Sequence, residues 1–476
     1  MQLSPFKKNI QKHFDSLSVD RRKWKGRNRY YYASQEKQLR FLVPAGCSVL
    51  ELGCGTGELL NAVEPSVGIG VDISSQMIKI AREEYPHLTF IHADAEDHKT
   101  WNLEQTFDYI VISDTLGLLE DIQGTLEGLH PYCHTSTRII ITYYNFLWEP
   151  ILKLGEKISL KMPQPIQNWL SLPDIENLLY LANFETVKQV RQMLVPKKIP
   201  LLCVLFEYLE TLPLINRLCL CNYMVARPLE NASHIEAASV SVIIPCKNEK
   251  GNIEPAVQRL KPLGKHTEII FVDGHSRDGT PDEIKRIIER YPDRDIKFLI
   301  QERTGKGDAV RKGFAAAKGE ILMILDADLT VAPEELDKFY HAAHTGKGEF
   351  INGCRLIYPM EKQAMRLLNI MGNKFFSTAF TWLLNQRIKD TLCGTKVLTK
   401  QNYEKIAANR QFFGDFDPFG DFDLLFGASK LNLKIVEIPI RYRSRTYGET
   451  QISRFKHGWL LLKMTAFAFF KLKVIK

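Results

Sequence analysis

Two carboxylates one residue apart, Asp326 and Asp328, close the run Ile324-Leu325-Asp326-Ala327-Asp328. Oxygen donors at that spacing can both reach one divalent cation, which neutralises a diphosphate as it departs. Short acidic turns are common, so the pair gains meaning from its neighbours along the chain. Val242-Ile-Ile-Pro245-Cys246-Lys247-Asn248-Glu249 is an apolar run that ends in proline and passes into a polar loop. Phe271-Val272-Asp273 ends a second run in a carboxylate, and Gly305-Lys306-Gly307-Asp308 opens a helical pattern whose first N–H groups can face phosphate. Arg441, Arg443 and Arg445 alternate, so on a strand all three point to one face, and a guanidinium fork suits phosphate.

A second set lies nearer the N-terminus. Leu50-Glu51-Leu52-Gly53-Cys54-Gly55-Thr56-Gly57 follows a predicted strand and precedes a predicted helix. Glycines at 53, 55 and 57 allow a sharp turn and a close approach of ligand to backbone. Asp72 ends the next strand, where a carboxylate can take two ribose hydroxyls, and Asp94-Ala95 ends the third. The loop is spaced G-x-G-x-G, whereas a dinucleotide fingerprint reads G-x-G-x-x-G. Ser113-Asp114 ends the fourth predicted strand, where a base can stand; Asp114 can equally be a turn or N-cap residue. Tyr143, Tyr144 and Asn145 end the fifth, with half-buried packing the alternative reading for the tyrosines. No metal-ligand cluster is visible in this set.

The elements that position both sets alternate strand and helix. The first series runs through Val67–Ser74, Leu88–Ala95, Phe107–Leu116 and Arg138–Asn145, with a helical pattern at Gln76–Tyr85. The second runs through Glu268–Gly274, Ile296–Gln301, Glu320–Asp326 and Glu349–Arg355. Such alternation predicts an α/β protein of two doubly wound domains, each a largely parallel sheet covered by helices. The polar stretch at 228–237 reads as a linker, giving domains at 1–230 and 238–476.

Charge is uneven along the 476 residues. Residues 1–40 carry a net +8, residues 441–476 another +8, and the body between them −8. That excludes a uniformly basic nucleic-acid binder and points to an anionic partner near the termini. Nine cysteines without zinc spacing predict buried free thiols in a reducing compartment. No secretory signal is expected from the N-terminus. Of the apolar stretches, Ile199–Val225 contains Glu207, Glu210 and Arg217 and reads as domain core rather than a span. Trp459–Leu472 is too short to cross a bilayer and reads as an interfacial segment with its apolar face down. The apolar residues of 361–385, Phe375, Phe376, Phe380 and Trp382 among them, fit core packing or an acceptor groove.

The Glu51–Gly57 and Asp72 pattern resembles class I S-adenosylmethionine-dependent methyltransferases, over roughly residues 30–228. The resemblance implies a Rossmann-like fold with Glu51, Gly53, Gly55 and Gly57 in the cofactor motif. By the same analogy Asp72 holds the ribose and Asp94 with Ala95 borders the adenine. The second set resembles glycosyltransferase family 2, of GT-A fold, and within it the polyprenyl-phosphate enzymes of the dolichol-phosphate mannose synthase type, over roughly 238–455. By that analogy Pro245, Asn248, Glu249 and Asp273 contact the nucleoside, Lys306 and Arg355 face phosphate, and Asp326 and Asp328 hold Mg²⁺ or Mn²⁺. Asp390-Thr-Leu-Cys393-Gly394 occupies the place of a family segment near the donor sugar. Asp421 or Asp423 supplies the family's acidic residue, not separable by sequence from Asp415 and Asp417. Arg443 and Arg445, ahead of Tyr447-Gly448-Glu449-Thr450, match a basic segment over the donor and acceptor phosphates.

The expected protein is therefore bifunctional. Its C-terminal domain transfers a hexose from a UDP- or GDP-sugar to a polyprenyl phosphate, with inversion. Its N-terminal domain methylates an acceptor that the residues do not name. It is expected in the cytoplasm, peripheral on the cytosolic membrane face, with no nucleic-acid partner and an oligomeric state the sequence leaves open. Sugar transfer to a hydroxyl is the second reading, and a membrane-surface scaffold with one degenerate domain the third.

Overall fold

The computed structural model describes residues 3–165, 167–200, 202–229, 237–355, 367–412, 422–443, 445, 447 and 454–474. The chain divides into two compact units, residues 1–229 with 474–476, and residues 230–473. Most of the predicted linker lies outside the described residues.

The first unit holds β1 (Ser48–Leu52), β2 (Val67–Asp72), β3 (Thr89–His92), β4 (Phe107–Ser113), β5 (Cys133–Tyr144), β6 (Phe184–Gln192) and β7 (Cys221–Pro228). Their order in the sheet is β3-β2-β1-β4-β5-β7-β6. β1 to β5 run parallel, and β7 runs antiparallel to both neighbours. Leu50, Leu52, Val71, Ile110 and Ile112 are buried, as the near-continuous apolar runs of a sheet covered on both faces require. The order reverses between β1 and β4, which opens a crevice at the carboxyl ends of the strands. Leu52 pairs with Val71 and with Ile112, so Gly53, Asp72 and Ser113 leave the sheet side by side.

Three helices precede β1, at Pro5–Leu17, Arg21–Arg27 and Arg29–Leu42. Ser4 starts the first by accepting from the Lys7 N–H, a cap worth about 1 kcal/mol. The helix after β2 runs Ser75–Glu84, with Ser74 accepting from the Met77 N–H. Ile199–Val225 divides. Its last residues enter buried β7, but 202–218 carries the short helix Cys203–Leu209 and leaves Leu202, Val204, Leu205 and Leu214 exposed. The core reading therefore holds only for its end.

The second unit holds β8 (Val240–Cys246), β9 (Thr267–Asp273), β10 (Asp295–Ile300), β11 (Ile321–Ile324), β12 (Phe350–Cys354), β13 (Lys396–Thr399) and β14 (Ile435–Pro439), ordered β10-β9-β8-β11-β13-β12-β14. β8 to β11 are parallel; β13 runs antiparallel to β11 and β12. Ile324 pairs with Ile243, so Asp326 leaves the sheet beside Pro245, and Cys246 pairs with Asp273. The nucleoside and diphosphate candidates thus share one sheet edge.

Two expectations change in this unit. Arg441–Arg443 is not a regular strand: among the described residues it makes one antiparallel bridge, Tyr442 with Val331. The C-terminal segment is a helix, Arg454–Leu472, whose Leu461, Met464 and Ala468 are buried. It packs on the helix Leu367–Leu384, with Trp382 stacked on Phe469. Core packing thus takes its main stripe and leaves Trp459, Leu462 and Phe470 exposed. Phe376 and Phe380 are buried on the partner helix, as core packing requires, while Phe375 is exposed. No helix among the described residues is long and apolar enough to cross a membrane. None of the nine cysteines forms a disulfide.

Candidate active sites

The crevice of the first unit holds a cavity of about 150 Å³, lined by Gly53, Gly55, Asp72, Asp94, Ala95 and Asp114 among others. Gly53 has φ +72°, and a side chain there would overlap Thr115. Gly55, at φ +54°, faces the Arg21 guanidinium. Gly57 plays a different part: it caps the helix Glu58–Ala62 at φ +81° and packs on Phe90 rather than lining the cavity.

Asp72 fastens the loop. Its two carboxylate oxygens accept from the N–H groups of Gly55 and Ser74, each at 2.8 Å. Burial nevertheless pushes its carboxyl up. Glu51 is buried, and its Oε2 has no hydrogen-bond partner. Burial pushes its carboxyl up to about 8, against the pull of Lys25. A cationic ligand would satisfy that oxygen, so the donor set fits a sulfonium-bearing amino acid derivative. Asp94 accepts from Lys7 Nζ at 2.6 Å, and the same lysine reaches Glu96 at 3.2 Å.

Asp114 stands opposite the glycine loop at φ +51°, unusual for a residue with a side chain. Its Oδ2 accepts from Tyr31 Oη at 2.8 Å and from Gln35 Nε2 at 3.0 Å. Burial pushes its carboxyl up. It lines the cavity beside Tyr144. The other two candidates on that strand end are structural: Tyr143 donates to the Asn168 carbonyl, and Asn145 donates to the carbonyls of Arg217 and Cys219.

Sequence reasoning missed the roof. Lys7, Arg21 and Lys25 come from the basic N-terminal helices and line the cavity, with Lys25 on Glu58 at 2.5 Å. The only available signal was the basic run itself, Arg21-Arg-Lys-Trp-Lys-Gly-Arg27, which composition assigns to a surface.

In the second unit the carboxylates of the pair each hold a cation. Asp326 meets Lys306 Nζ at 2.6 Å, and Asp328 meets Arg445 at 2.7 Å. Burial pushes the Asp326 carboxyl up, but Lys306, Lys396 and Arg355 together outweigh it and the net shift is down. Arg445 also reaches Glu249 at 3.2 Å. A side chain at Gly394 would overlap both Asp326 and Lys306, so the glycine gives that pair its room. Asp273 is buried; its Oδ2 accepts from the Ser276 N–H at 3.1 Å and its Oδ1 has no partner. That oxygen is an acceptor suited to an N–H of a base. Asn248, at φ +57°, accepts from the Arg277 N–H at 2.8 Å and shapes the same loop.

Other candidates are placed differently. Arg355 is held by buried Asp390 through two bonds of 2.7 and 2.8 Å and lies over the Tyr442 ring. Asp390 therefore anchors an arginine in this structure. Asp423 meets Arg410 at 3.3 Å and Arg311 at 3.8 Å, at the start of the helix Phe422–Lys430. Asp421, Asp415 and Asp417 lie outside the described residues. Arg443 is exposed, with its N–H on the Thr330 carbonyl. Among the described residues no three acidic, histidine or cysteine side chains gather to hold a metal. Two carboxylates still fit Mg²⁺, which takes one or two from protein and the rest from phosphate and water.

The two folds, together with two family matches, make this a chain of two transferase-type domains, a class I methyltransferase fold followed by a GT-A fold. Residues 24–189 match the family described as methyltransferase domain, and residues 241–406 match glycosyl transferase family 2. Over 109 residues, 22% of this chain, it is 39% identical to the dolichol-phosphate mannosyltransferase of Saccharomyces cerevisiae and spans 40% of that protein's length. Over 234 residues, 45% of this chain, it is 27% identical to the dolichyl-phosphate beta-glucosyltransferase of Dictyostelium discoideum, covering 69% of it. Among solved structures, an S-adenosylmethionine-dependent methyltransferase of Thermotoga maritima aligns with 46% of this chain and 99% of its own, at 16% identity and a TM-score of 0.36.

Proposed function

We propose that the second unit transfers a hexose from a UDP- or GDP-sugar to a polyprenyl phosphate, inverting the anomeric centre, on the cytosolic membrane face. The observation that carries this reading is two ion-paired groups at one sheet edge, Lys306 on Asp326 and Arg445 on both Asp328 and Glu249. Relatives named for dolichol-phosphate transfer support the acceptor class. Asp273, Asn248, Glu249 and Pro245 receive the nucleoside. Mg²⁺ or Mn²⁺ on Asp326 and Asp328 would neutralise the departing diphosphate. Lys306 and Arg445 then turn from the carboxylates to phosphate oxygens, and Arg443 and Arg355 complete the phosphate set that the family resemblance implies. The acceptor phosphate is anionic near neutral pH, with a second pKa of about 6, so its oxygen attacks the anomeric carbon without a strong base. That carbon's bond to the nucleotide oxygen breaks as the new bond forms.

Transfer to a hydroxyl would need a carboxylate base. Asp423 is engaged with two arginines, which favours the phosphate acceptor; Asp421 stays a candidate base for the other reading. The deciding experiment incubates the protein with labelled UDP- and GDP-sugars, metal and polyprenyl phosphate. Label in the organic extract is the expected result, and label confined to water-soluble products with a hydroxyl acceptor would replace this reading with the second.

We further propose that the first unit binds S-adenosylmethionine, whose sulfonium supplies an electrophilic methyl group. Asp72 takes the ribose, Asp94 with Ala95 borders the adenine, and Glu51 with Gly53 and Gly55 faces the methionine end. Asp114, positioned by Tyr31 and Gln35, orients or deprotonates the acceptor. Binding should make a measurable proton appear. Glu51 is protonated below about 8 in the folded protein, and a cation beside it favours the ionised form. At pH 7, calorimetry in buffers of different ionisation enthalpy should report up to about one proton released per cofactor. Glu51→Gln should abolish that release. The same group bears on stability: its folded pKa lies above the unfolded value, so its contribution is full below about 4.5 and is lost as pH rises through about 8. Glu51→Gln should flatten the melting temperature across that window.

A further inference from the structure

The first unit exposes an apolar face that its core does not explain. The helix Glu149–Lys157 buries Leu152 but turns Ile151 and Leu154 outward, 56% and 57% exposed. With Leu147 before it and Ile158 after it, these residues recur at 147, 151, 154 and 158, the spacing of a single helical stripe. A second segment adds to this side. Trp148 Nε1 donates to the Leu218 carbonyl at 2.8 Å, which ties the start of the helix to the exposed Leu214 and Leu218. Exposed apolar side chains are ordinary when scattered, but a stripe continued by a second segment is a patch, and patches mark interaction surfaces.

What the patch meets is indicated by the charges around it. Asn28 Nδ2 donates to the Leu160 carbonyl at 3.2 Å, Arg27 donates to the Ser159 carbonyl, and Lys197 Nζ reaches Asn28 Oδ1 at 2.7 Å. These bonds fix the loop between the helices Arg21–Arg27 and Arg29–Leu42 at the end of the stripe. Arg22, Lys23, Arg27 and Arg29 on those helices are exposed, as are Lys197 and Lys198. The acids of the stripe helix are already paired, Glu149 with Lys153 and Glu156 with Lys161, each at 2.5 Å. The rim is therefore positive around an apolar centre. Met162, Gln164 and Gln167, which follow the stripe in the chain, line the cavity.

We infer that this face docks on an anionic lipid bilayer, with the 147–158 stripe and Leu214/Leu218 entering the interface and the 22–29 basic residues on the headgroups. An apolar stripe with a cationic rim is the pattern of an interfacial helix. A second copy of this chain would place the same positive rim against itself.

The test floats the full chain with vesicles of phosphatidylcholine alone or with roughly one-third phosphatidylglycerol, which stands for anionic lipid. The wild type should float with the anionic vesicles and far less with the neutral ones. Ile151→Glu/Leu154→Glu should lower the bound fraction about tenfold, and Leu214→Glu/Leu218→Glu should do the same from the other segment. Arg22→Gln/Lys23→Gln should remove most of the preference for anionic lipid. Because Trp459 and Leu462 of the C-terminal helix are also exposed, the pairs are repeated in a Trp459→Glu/Leu462→Glu background, where the losses should persist. Circular dichroism checks that each variant is folded. Unchanged flotation of both folded acidic pairs overturns the inference, as does equal binding to neutral vesicles. So does sedimentation showing a dimer that Ile151→Glu/Leu154→Glu dissociates while flotation stays intact, which would assign the face to a second copy.

Discussion

Asp328→Ala is expected to cut sugar transfer to polyprenyl phosphate by about a thousandfold or more while leaving the fold intact. Departure of a nucleoside diphosphate develops negative charge, and the groups that meet it are worth several kcal/mol in a site closed to water. Asp328 is one of two carboxylates able to hold a cation there. Its other bonds are local: Oδ1 accepts from the Thr330 N–H at 3.1 Å and from the Thr330 hydroxyl at 2.8 Å. Removing it leaves Arg445 paired with Glu249, so no buried charge is stranded and the melting temperature should move little. The binding readout is independent of turnover: Mn²⁺ titrated into the protein with UDP present, followed by electron paramagnetic resonance, should lose its tight class of sites. Arg445→Ala should separate the two roles of that region. It removes a competitor for Asp328, so Mn²⁺ affinity should hold or rise, while transfer falls because the phosphate partner is gone. A thousandfold loss with unchanged Mn²⁺ binding would mean that Asp328 serves some other purpose.

What could be read from the sequence, and what could not, follows the range of the interaction. The glycine loop, Asp72, Asp94 and the Asp326–Asp328 turn were legible because each sits at the end of an apolar run, and a parallel sheet brings such ends together whatever the details. The registers Leu52 with Val71 and Ile324 with Ile243 carry out that alignment. Gly57 illustrates the limit. The motif counts it with the loop, but two residues beyond Gly55 the chain has turned away and packs Gly57 on Phe90. Contacts across long separations were not legible at all. Lys7 meets Asp94 and Arg445 meets Asp328 over 87 and 117 residues, and nothing local in either partner announces the other. The N-terminal basic run was readable as charge but not as two populations. Helical geometry turns Arg21 and Lys25 into the cavity and leaves Arg22 and Lys23 outside. Hydropathy erred in the same way over 199–225. Leu214 and Met224 both count as apolar in a window, yet one is 77% exposed and the other is buried in β7.

The same distinction between local and distant contacts decides the second large effect, which lies at Asp72. Asp72→Ala should weaken S-adenosylmethionine binding about a hundredfold, and Asp72→Asn should cost less. Two losses add in the alanine variant. The first is direct: the ribose hydroxyls lose a charged acceptor, and hydrogen bonds to charged groups are worth about 1.5–3 kcal/mol. The second acts through the loop. The Gly55 and Ser74 N–H groups both lose their acceptor, and the loop that Gly53 and Gly55 shape at positive φ loses the tie that holds it beside β2. Asparagine keeps one oxygen, so it can retain one of the two backbone bonds while losing the charge. About a hundredfold corresponds to roughly 2.7 kcal/mol, within the sum of these terms. The order of affinities, wild type above Asn above Ala, separates the two contributions. Calorimetry with S-adenosylmethionine and with its demethylated product checks it, since both carry the ribose and both should weaken alike. Equal loss in Asn and Ala would assign the effect to charge alone, and unchanged binding in both would place the ribose elsewhere in the cavity.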